Sequence, residues 1–308
     1  MFHSIVRTWA IRTARAWALA APLAALTLAP TAQAADAEQA NPQQVWAEAI
    51  KAAQAGPSEV KLLDKAVLKL PDGRVFIPQP HATRLLQAMG NPGDDPQLHG
   101  LIFPQGEDKG WFMTVEYEAS GHIKDDDAKD WDADELLDSY KQGTEAANEE
   151  RVKLGAPALE IIGWAEKPAY DATTHRLVWA MSSREKGSSG TDDQGVNYNT
   201  YLLGREGYFS MNLVTSLKDL PADKPEGQAM LAALSFNEGQ RYQDFNEDTD
   251  HVAEYGLAAL VLGVGAKKLG LLAGIGVFLA KFGKLIVLAL AGLGATAFKL
   301  FRRNSNAG

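Results

Sequence analysis

Asp125, Asp126, Asp127, Asp130, Asp132, Asp134 and Glu135 place seven carboxylates within eleven consecutive residues. Hard oxygen donors at that density suit Ca²⁺ or Mg²⁺. A divalent cation is therefore the cofactor this run would take, with Asp125, Asp126, Asp127 and Asp130 as candidate ligands. Asp130, Asp132 and Asp134 even copy the first three alternate ligands of a calcium loop. The copy then fails, because Glu135 stands where the sharp turn needs Gly and Lys141 where a bidentate Glu should close the shell. A divalent-metal-dependent hydrolase built on the run competes with a structural explanation. Acids gather at a helix start because free N–H groups and the macrodipole favour them by about 0.3–1 kcal/mol each.

A second acidic group, Asp244, Asp248, Asp250 and Glu254, includes His251. Zinc binding or proton transfer there would need convergent ligands, and one His is few; the competing role is a capped entry to the next helix through Thr249 or Asp250. Asn197, Tyr198, Asn199 and Arg205 could hydrogen-bond a polar ligand around a strand and tight turn, or serve as cross-strand pairs and a salt bridge. Trp111, Trp131, Trp164 and Trp179 read as core aromatics before a sugar-stacking platform. The chain has no G-x-S-x-G, H-E-x-x-H or phosphate-binding G-x-x-x-x-G-K-[ST] motif, and no Cys to act as a thiol nucleophile. No catalytic residue is named, and a binding role leads over an enzymatic one.

The charge layout frames these groups. All 39 acids lie between Ala35 and Glu254 together with 20 of the 30 basic residues, so that stretch carries a formal −19. Nucleic acid is an improbable partner for it, since phosphate contacts need clustered positive charge. Residues 1–34 have the parts of a secretory leader: Arg7, Arg12 and Arg15, an apolar run from Trp17 to Ala29, and Ala32-Gln33-Ala34 before the expected cleavage. An uncleaved anchor is the alternative. From Tyr255 the chain turns apolar and basic, with runs Leu269 to Ala280 and Leu285 to Phe298 separated by Lys281 and Lys284.

The second run covers about 21 Å of a hydrocarbon core about 30 Å thick, enough if Lys284 and Lys299 snorkel to opposite interfaces. A longer helix over Leu269 to Phe298, two crossings forming a small pore or transporter subunit, and a soluble amphipathic hairpin are the alternatives. One crossing leaves Arg302 and Arg303 inside. The expected organisation is a signal peptide (1–34), an acidic periplasmic domain (35–254), an apolar membrane segment (255–301, the span within 269–301) and a basic cytoplasmic tail (302–308). The partners expected are the inner membrane, envelope proteins, or a second copy through the Gly270 and Gly274 spacing.

The elements that must position these residues follow from periodicity. Helices are expected over Asn41 to Ala55, His81 to Met89, Asp132 to Leu154 and Ala222 to Ala233, the third started by Asp132 with Glu135 at capping-box spacing. Ala66 to Leu70 and Arg74 to Ile77 read as a hairpin around Pro71-Asp72-Gly73, and Trp111 to Tyr117 as another returning through His122 to Lys124. Leu159 to Glu166, His175 to Met181, Val196 to Leu203 and Tyr208 to Val214 suit a meander, with Ser182 to Gly195 as a loop and a last strand near Gln240 to Phe245. The class is α+β: an antiparallel sheet built from hairpins with flanking helices and covered on one face, plus a C-terminal transmembrane helix.

Several stretches together resemble a known family. They are Gly90-Asn91-Pro92, Gly121-His122-Ile123-Lys124-Asp125-Asp126-Asp127-Ala128, Asn148 and Arg151, Gly163-Trp164 with Pro168 and Tyr170, Val196-Asn197-Tyr198-Asn199, Leu203-Gly204-Arg205, and Tyr242-Gln243-Asp244-Phe245 leading to Asp250 and Tyr255-Gly256. They are similar to a group of uncharacterised bacterial membrane-anchored proteins sharing a domain of unknown function, in which Tyr is usual at the place of His122. The resemblance implies a leader, a periplasmic-type domain and a C-terminal membrane segment, and supplies no catalytic residues.

Overall fold

In this computed structural model, residues 42–262 are described, apart from 92–93, 106–109, 130, 154 and 191–193. The expected leader, transmembrane segment and basic tail lie outside the described residues, as does Asp130. Among the described residues no helix is long and apolar enough to cross a membrane.

The chain opens with α1 (Pro42–Ala52), β1 (Gln54–Ala55), β2 (Ser58–Leu62), β3 (Ala66–Leu70), β4 (Arg74–Pro78), α2 (His81–Ala88), β5 (Leu98–Pro104) and β6 (Phe112–Glu118). A 3₁₀ turn at Asp126–Lys129 precedes α3 (Ala133–Lys153). The long strands β7 (Leu159–Asp171), β8 (Arg176–Glu185), β9 (Gly195–Leu203) and β10 (Tyr208–Ser216) come next. After them stand α4 (Leu220–Ala233), β11 (Leu234–Phe236), a 3₁₀ turn at Tyr242–Asp244 and α5 (Leu257–Val261). Eight strands form one antiparallel sheet in the order β1-β4-β5-β6-β10-β9-β8-β7, and β11-β3-β2 form a second. The class is α+β, with the expected meander over β7 to β10.

Alternation decides which side chains meet which layer. On β8, Val178 and Ala180 face the core shared with α4 and the small sheet, while Leu177 and Trp179 face the opposite core. β9 repeats the rule, with Tyr198 and Leu202 on the first side and Tyr201 and Leu203 on the second. Both faces of the large sheet are therefore covered, not one as the sequence suggested. α4 with the small sheet lies on one face; α1 and α2 pack on one half of the other, and α5 with Leu136 of α3 on its remaining half.

Three local expectations change. Ala66–Leu70 and Arg74–Pro78 are strands, and Gly73 takes the positive φ of 70°, but they do not pair with each other. β3 joins β2 and β11 while β4 joins β1 and β5, so the turn passes the chain from one sheet to the other. β6 makes no hairpin with the chain after Gly121; it pairs with β5 and β10, and His122 forms only a parallel bridge to Val252. The last strand is Leu234–Phe236, and the stretch near Gln240 to Phe245 holds the 3₁₀ turn instead.

β8 also runs on through Ser182 to Glu185, shortening the expected loop. Leu257–Val261, the start of the apolar stretch that the sequence joins to the membrane segment, belongs to the folded body: Leu257, Leu260 and Val261 are buried against Ile123, Leu177 and Trp179.

Candidate functional site

The polar groups of greatest interest converge where the loop after β6, the β7–β8 turn and residues 237–256 meet. The last of these segments lies as a strap across the end of the sheet. Its backbone is docked at two places, through His122 N–H to His251 O and Ala253 N–H to His122 O (2.8 Å each), and through Arg205 N–H to Gln240 O (3.0 Å). Gly121 allows the approach, since a Cβ there would lie 2.8 Å from His251 O and 2.7 Å from its ring.

Four rings stack along this junction. Phe245 lies 3.9 Å from His122, His122 lies 4.3 Å from Tyr242, and Tyr242 lies 4.0 Å from His175, centroid to centroid. The Tyr242 hydroxyl donates to Ile123 O at 2.8 Å. Burial lowers the pKa of His122 and His175 from the ordinary 6.5, against the opposing pull of Asp125. His122 Nδ1 is buried with no protein partner.

Beside the stack, the Tyr170 hydroxyl is 2.7 Å from Asp125 Oδ2 and 3.0 Å from His175 Nδ1. With Tyr170 donating to the carboxylate, its oxygen is left to accept from His175 Nδ1–H, an assignment that fixes the tautomer. Burial first, and then the bond to Asp125, raises the Tyr170 pKa, so the phenol holds its proton. The arrangement can store and orient a proton but does not create a phenolate nucleophile.

Two further carboxylates fasten the strap. Asp250 takes a forked contact from Arg205 (Nε to Oδ2 2.6 Å, Nη2 to Oδ1 2.8 Å) and also accepts Asn246 N–H and Thr249 Oγ1–H. Asp250 is held well below the usual carboxylate range, by Arg205 first and the Asn246 N–H second. Asp127 reaches across 130 positions of sequence to the start of α5, its oxygens accepting Leu257 N–H at 3.1 Å and Ala258 N–H at 3.0 Å. Gly256 keeps the carboxylate close, as a Cβ there would fall 2.6 Å from Asp127 Oδ2.

The residues singled out from sequence thus divide. Asp125 and Asp127 are brought to the junction with separate partners, while Asp126 stands in the 3₁₀ turn. Asp132 caps α3 by accepting the N–H groups of Asp134 and Glu135. Among the described residues no three or more His, Asp or Glu side chains are grouped to hold a metal ion. Asp244 closes its own turn on Arg241 N–H, and the His251 side chain is exposed.

Asn197 and Asn199 alternate with buried Tyr198, so these three side chains do not converge, and Arg205 is committed to Asp250. Trp111 and Trp179 are core residues, and Trp164 donates its indole N–H to Ala133 O at 2.8 Å. His175 and Arg176 were missed as site candidates. The available signal was Asp171 opposite Arg176, followed by Thr173 and Thr174 that compete for its carboxylate.

Comparison with known families finds a match over residues 54–291 to the model described as "Protein of unknown function (DUF2167)". The chain belongs to that family. No curated protein matches it. Among solved structures, the solution structure of cyanobacterial PsbP (CyanoP) from Synechocystis sp. PCC 6803 is 10% identical, with 60% of this chain and 93% of that one covered at a TM-score of 0.34. A protein of unknown function from Pseudomonas aeruginosa, PA94, titled a putative regulator, is 13% identical, with 56% and 93% covered at a TM-score of 0.22. At TM-scores this low neither likeness defines a shared fold.

Proposed function

We propose that this member of the DUF2167 family is a membrane-tethered binding or interaction module of a bacterial envelope. Its acidic body stands in the periplasm and its C-terminal apolar stretch crosses the inner membrane once. The observation behind the reading is the fastening of the strap and α5. Arg205 with Asp250, Asp127 with the α5 N–H groups, and the four-ring stack commit the junction's polar groups to holding the chain firm up to Leu262. The apolar run beginning at Leu269 lies only seven positions further on. A body joined so closely to its anchor keeps one end toward the bilayer and presents the other surfaces to partners. The charge supports the orientation, with a −19 body free to be exported and Arg302 and Arg303 retained inside.

The test has two arms. A reporter active only in the periplasm is expected to work when inserted near Ser188 and to fail when fused after Gly308; carbonate washing is expected to leave the protein in the membrane. Activity of the C-terminal fusion, or release by carbonate, would refute the single anchor. Photocrosslinkers placed on exposed positions of the body in native envelopes are expected to give discrete adducts from one face, and uniform absence of adducts would refute the interaction role.

A further inference from the structure

Beside the junction, an open recess of about 170 Å³ is bounded by the β7–β8 turn, the end of β9, β11 and the Tyr242–Asp244 turn. Its walls include Arg176, Arg241 and His175 on the polar side and Leu202, Leu234 and Phe236 on the apolar side, and no Asp or Glu lines it. In a stretch of formal charge −19, two arginines lining a recess that holds no carboxylate call for an explanation.

Local bonding supplies half of one. The residue opposite Arg176 in the β7–β8 hairpin is Asp171, whose carboxylate accepts Thr173 N–H at 2.8 Å and Thr174 Oγ1–H at 2.7 Å. Arg176 is left with one long contact, Nη2 to Leu231 O at 3.5 Å, while its Nε is buried with no protein acceptor. A buried donor without an acceptor is costly. Arg241 is exposed and has no ion pair among the described residues; Asp244, three positions along, is turned back on the Arg241 N–H at 2.9 Å.

We propose that this recess binds a small carboxylate carried on a short apolar body. The guanidinium fork matches the two oxygens of a carboxylate, and Leu202, Leu234 and Phe236 offer the chain beyond it an apolar wall. The volume is below the roughly 300–1,000 Å³ of sites for drug-sized ligands, so the ligand is a small one. A free phosphate would turn its remaining oxygens toward the apolar side, so a carboxylate fits better. The proposal rests on the binding-module reading and gives it a ligand class.

The test uses the full chain in nonionic detergent at low ionic strength, with butyrate as probe and ligand-detected NMR as readout. Saturable transfer to the butyrate methyl group is expected, with none to n-butylamine and weaker binding of inorganic phosphate. Arg176→Gln is expected to weaken butyrate binding by about tenfold or more, the loss of a charge-assisted forked contact. Arg241→Gln, at an exposed position, is expected to weaken it severalfold and keeps the test valid if the first variant is unstable.

No saturable butyrate binding to the wild type would overturn the proposal, as would unchanged affinity in Arg241→Gln or equal binding of butylamine. Tighter binding of phosphate would overturn the carboxylate assignment. Failure here with the reporter and crosslinking results intact would remove the recess alone and leave the tethered module standing.

Discussion

Replacing Leu257 by Ala separates a helix of the folded body from the beginning of a membrane segment. The Leu257 side chain is 0% exposed and sits with Leu260 and Val261 against Ile123, Leu136, Leu177, Trp179, Leu203 and Tyr208. Removing three carbons from a fully buried leucine costs about 2–5 kcal/mol, the spread reflecting how far the site collapses. α5 has only five residues and can shift a little, so about 3 kcal/mol is expected. For a folded body of this size each kcal/mol moves the melting temperature by about 2–4 °C, which gives a fall of about 6–12 °C.

Leu63 is the internal control. At 47% exposure its change to Ala should stay within about 0.5 kcal/mol. Thermal unfolding of the full chain in detergent, followed by tryptophan fluorescence, measures both. A chain ended after Leu262 should keep the wild-type midpoint, and one ended after Tyr255 should fall at least as far as Leu257→Ala. If Leu257→Ala melts within 2 °C of the wild type, α5 is not part of the core and the reasoning fails.

Asp127→Ala should cost about 1–2 kcal/mol by removing the cap and its charge from the α5 N–H groups, and the loss should be the same in EDTA as in millimolar Mg²⁺. Calorimetry of the wild type and of the Asp125→Asn, Asp127→Asn double variant with Ca²⁺, Mg²⁺, Mn²⁺ and Zn²⁺ checks this; saturable heat from the wild type alone would restore the metal reading. Acidification should destabilise the protein in two stages. His99, His122 and His175 have folded pKa values below 6.5 because burial disfavours their charged forms, so the unfolded chain takes up protons first and stability falls as pH drops below 6.5 toward the folded values. Asp250, depressed by Arg205, contributes stability that is present above its ordinary 3.8 and is lost only below it. A melting temperature unchanged from pH 7.5 to pH 5 would contradict the first stage. Gly207→Ala should lower the unfolding midpoint clearly, by about 1–3 kcal/mol as overpacking does, because its Cβ would fall 2.0 Å from Glu118 O on β6; an unchanged midpoint would show that the β6–β10 contact yields.

Local signals in the sequence carried the elements whose cause is local. The meander from β7 to β10 follows from alternation and short turns, and the start of α3 follows from Asp132, whose oxygen accepts the Glu135 N–H that the spacing implied and the Asp134 N–H besides. Pairing was legible only where neighbours in sequence are neighbours in the sheet. Pro71-Asp72-Gly73 has the composition of a hairpin turn, and Gly73 has the required φ, yet turn chemistry fixes a reversal and not the partner of each strand. β3 pairs with β2 and β11 and β4 with β1 and β5, so the two strands end in different sheets although a tight turn joins them. In the same way apolar composition alone cannot tell Leu257, buried in the body, from Leu269, which begins the long apolar run.

The carboxylate run shows the same boundary within one motif. A helix-start explanation accounts for Asp132, which serves the helix it precedes. It fails for Asp127, whose two oxygens serve a helix 130 positions away, and for Asp125, which receives the phenol of Tyr170 from another strand. A metal-site explanation gathers all of them by count and proximity in sequence, but among the described residues Asp125, Asp127 and Asp132 turn toward different elements. What these acids share is a mechanical consequence: Asp125 ties the loop after β6 to the β7–β8 turn, and Asp127 ties that loop to α5. With Arg205 holding Asp250, the strap is gripped at Asp250 and again where it enters α5.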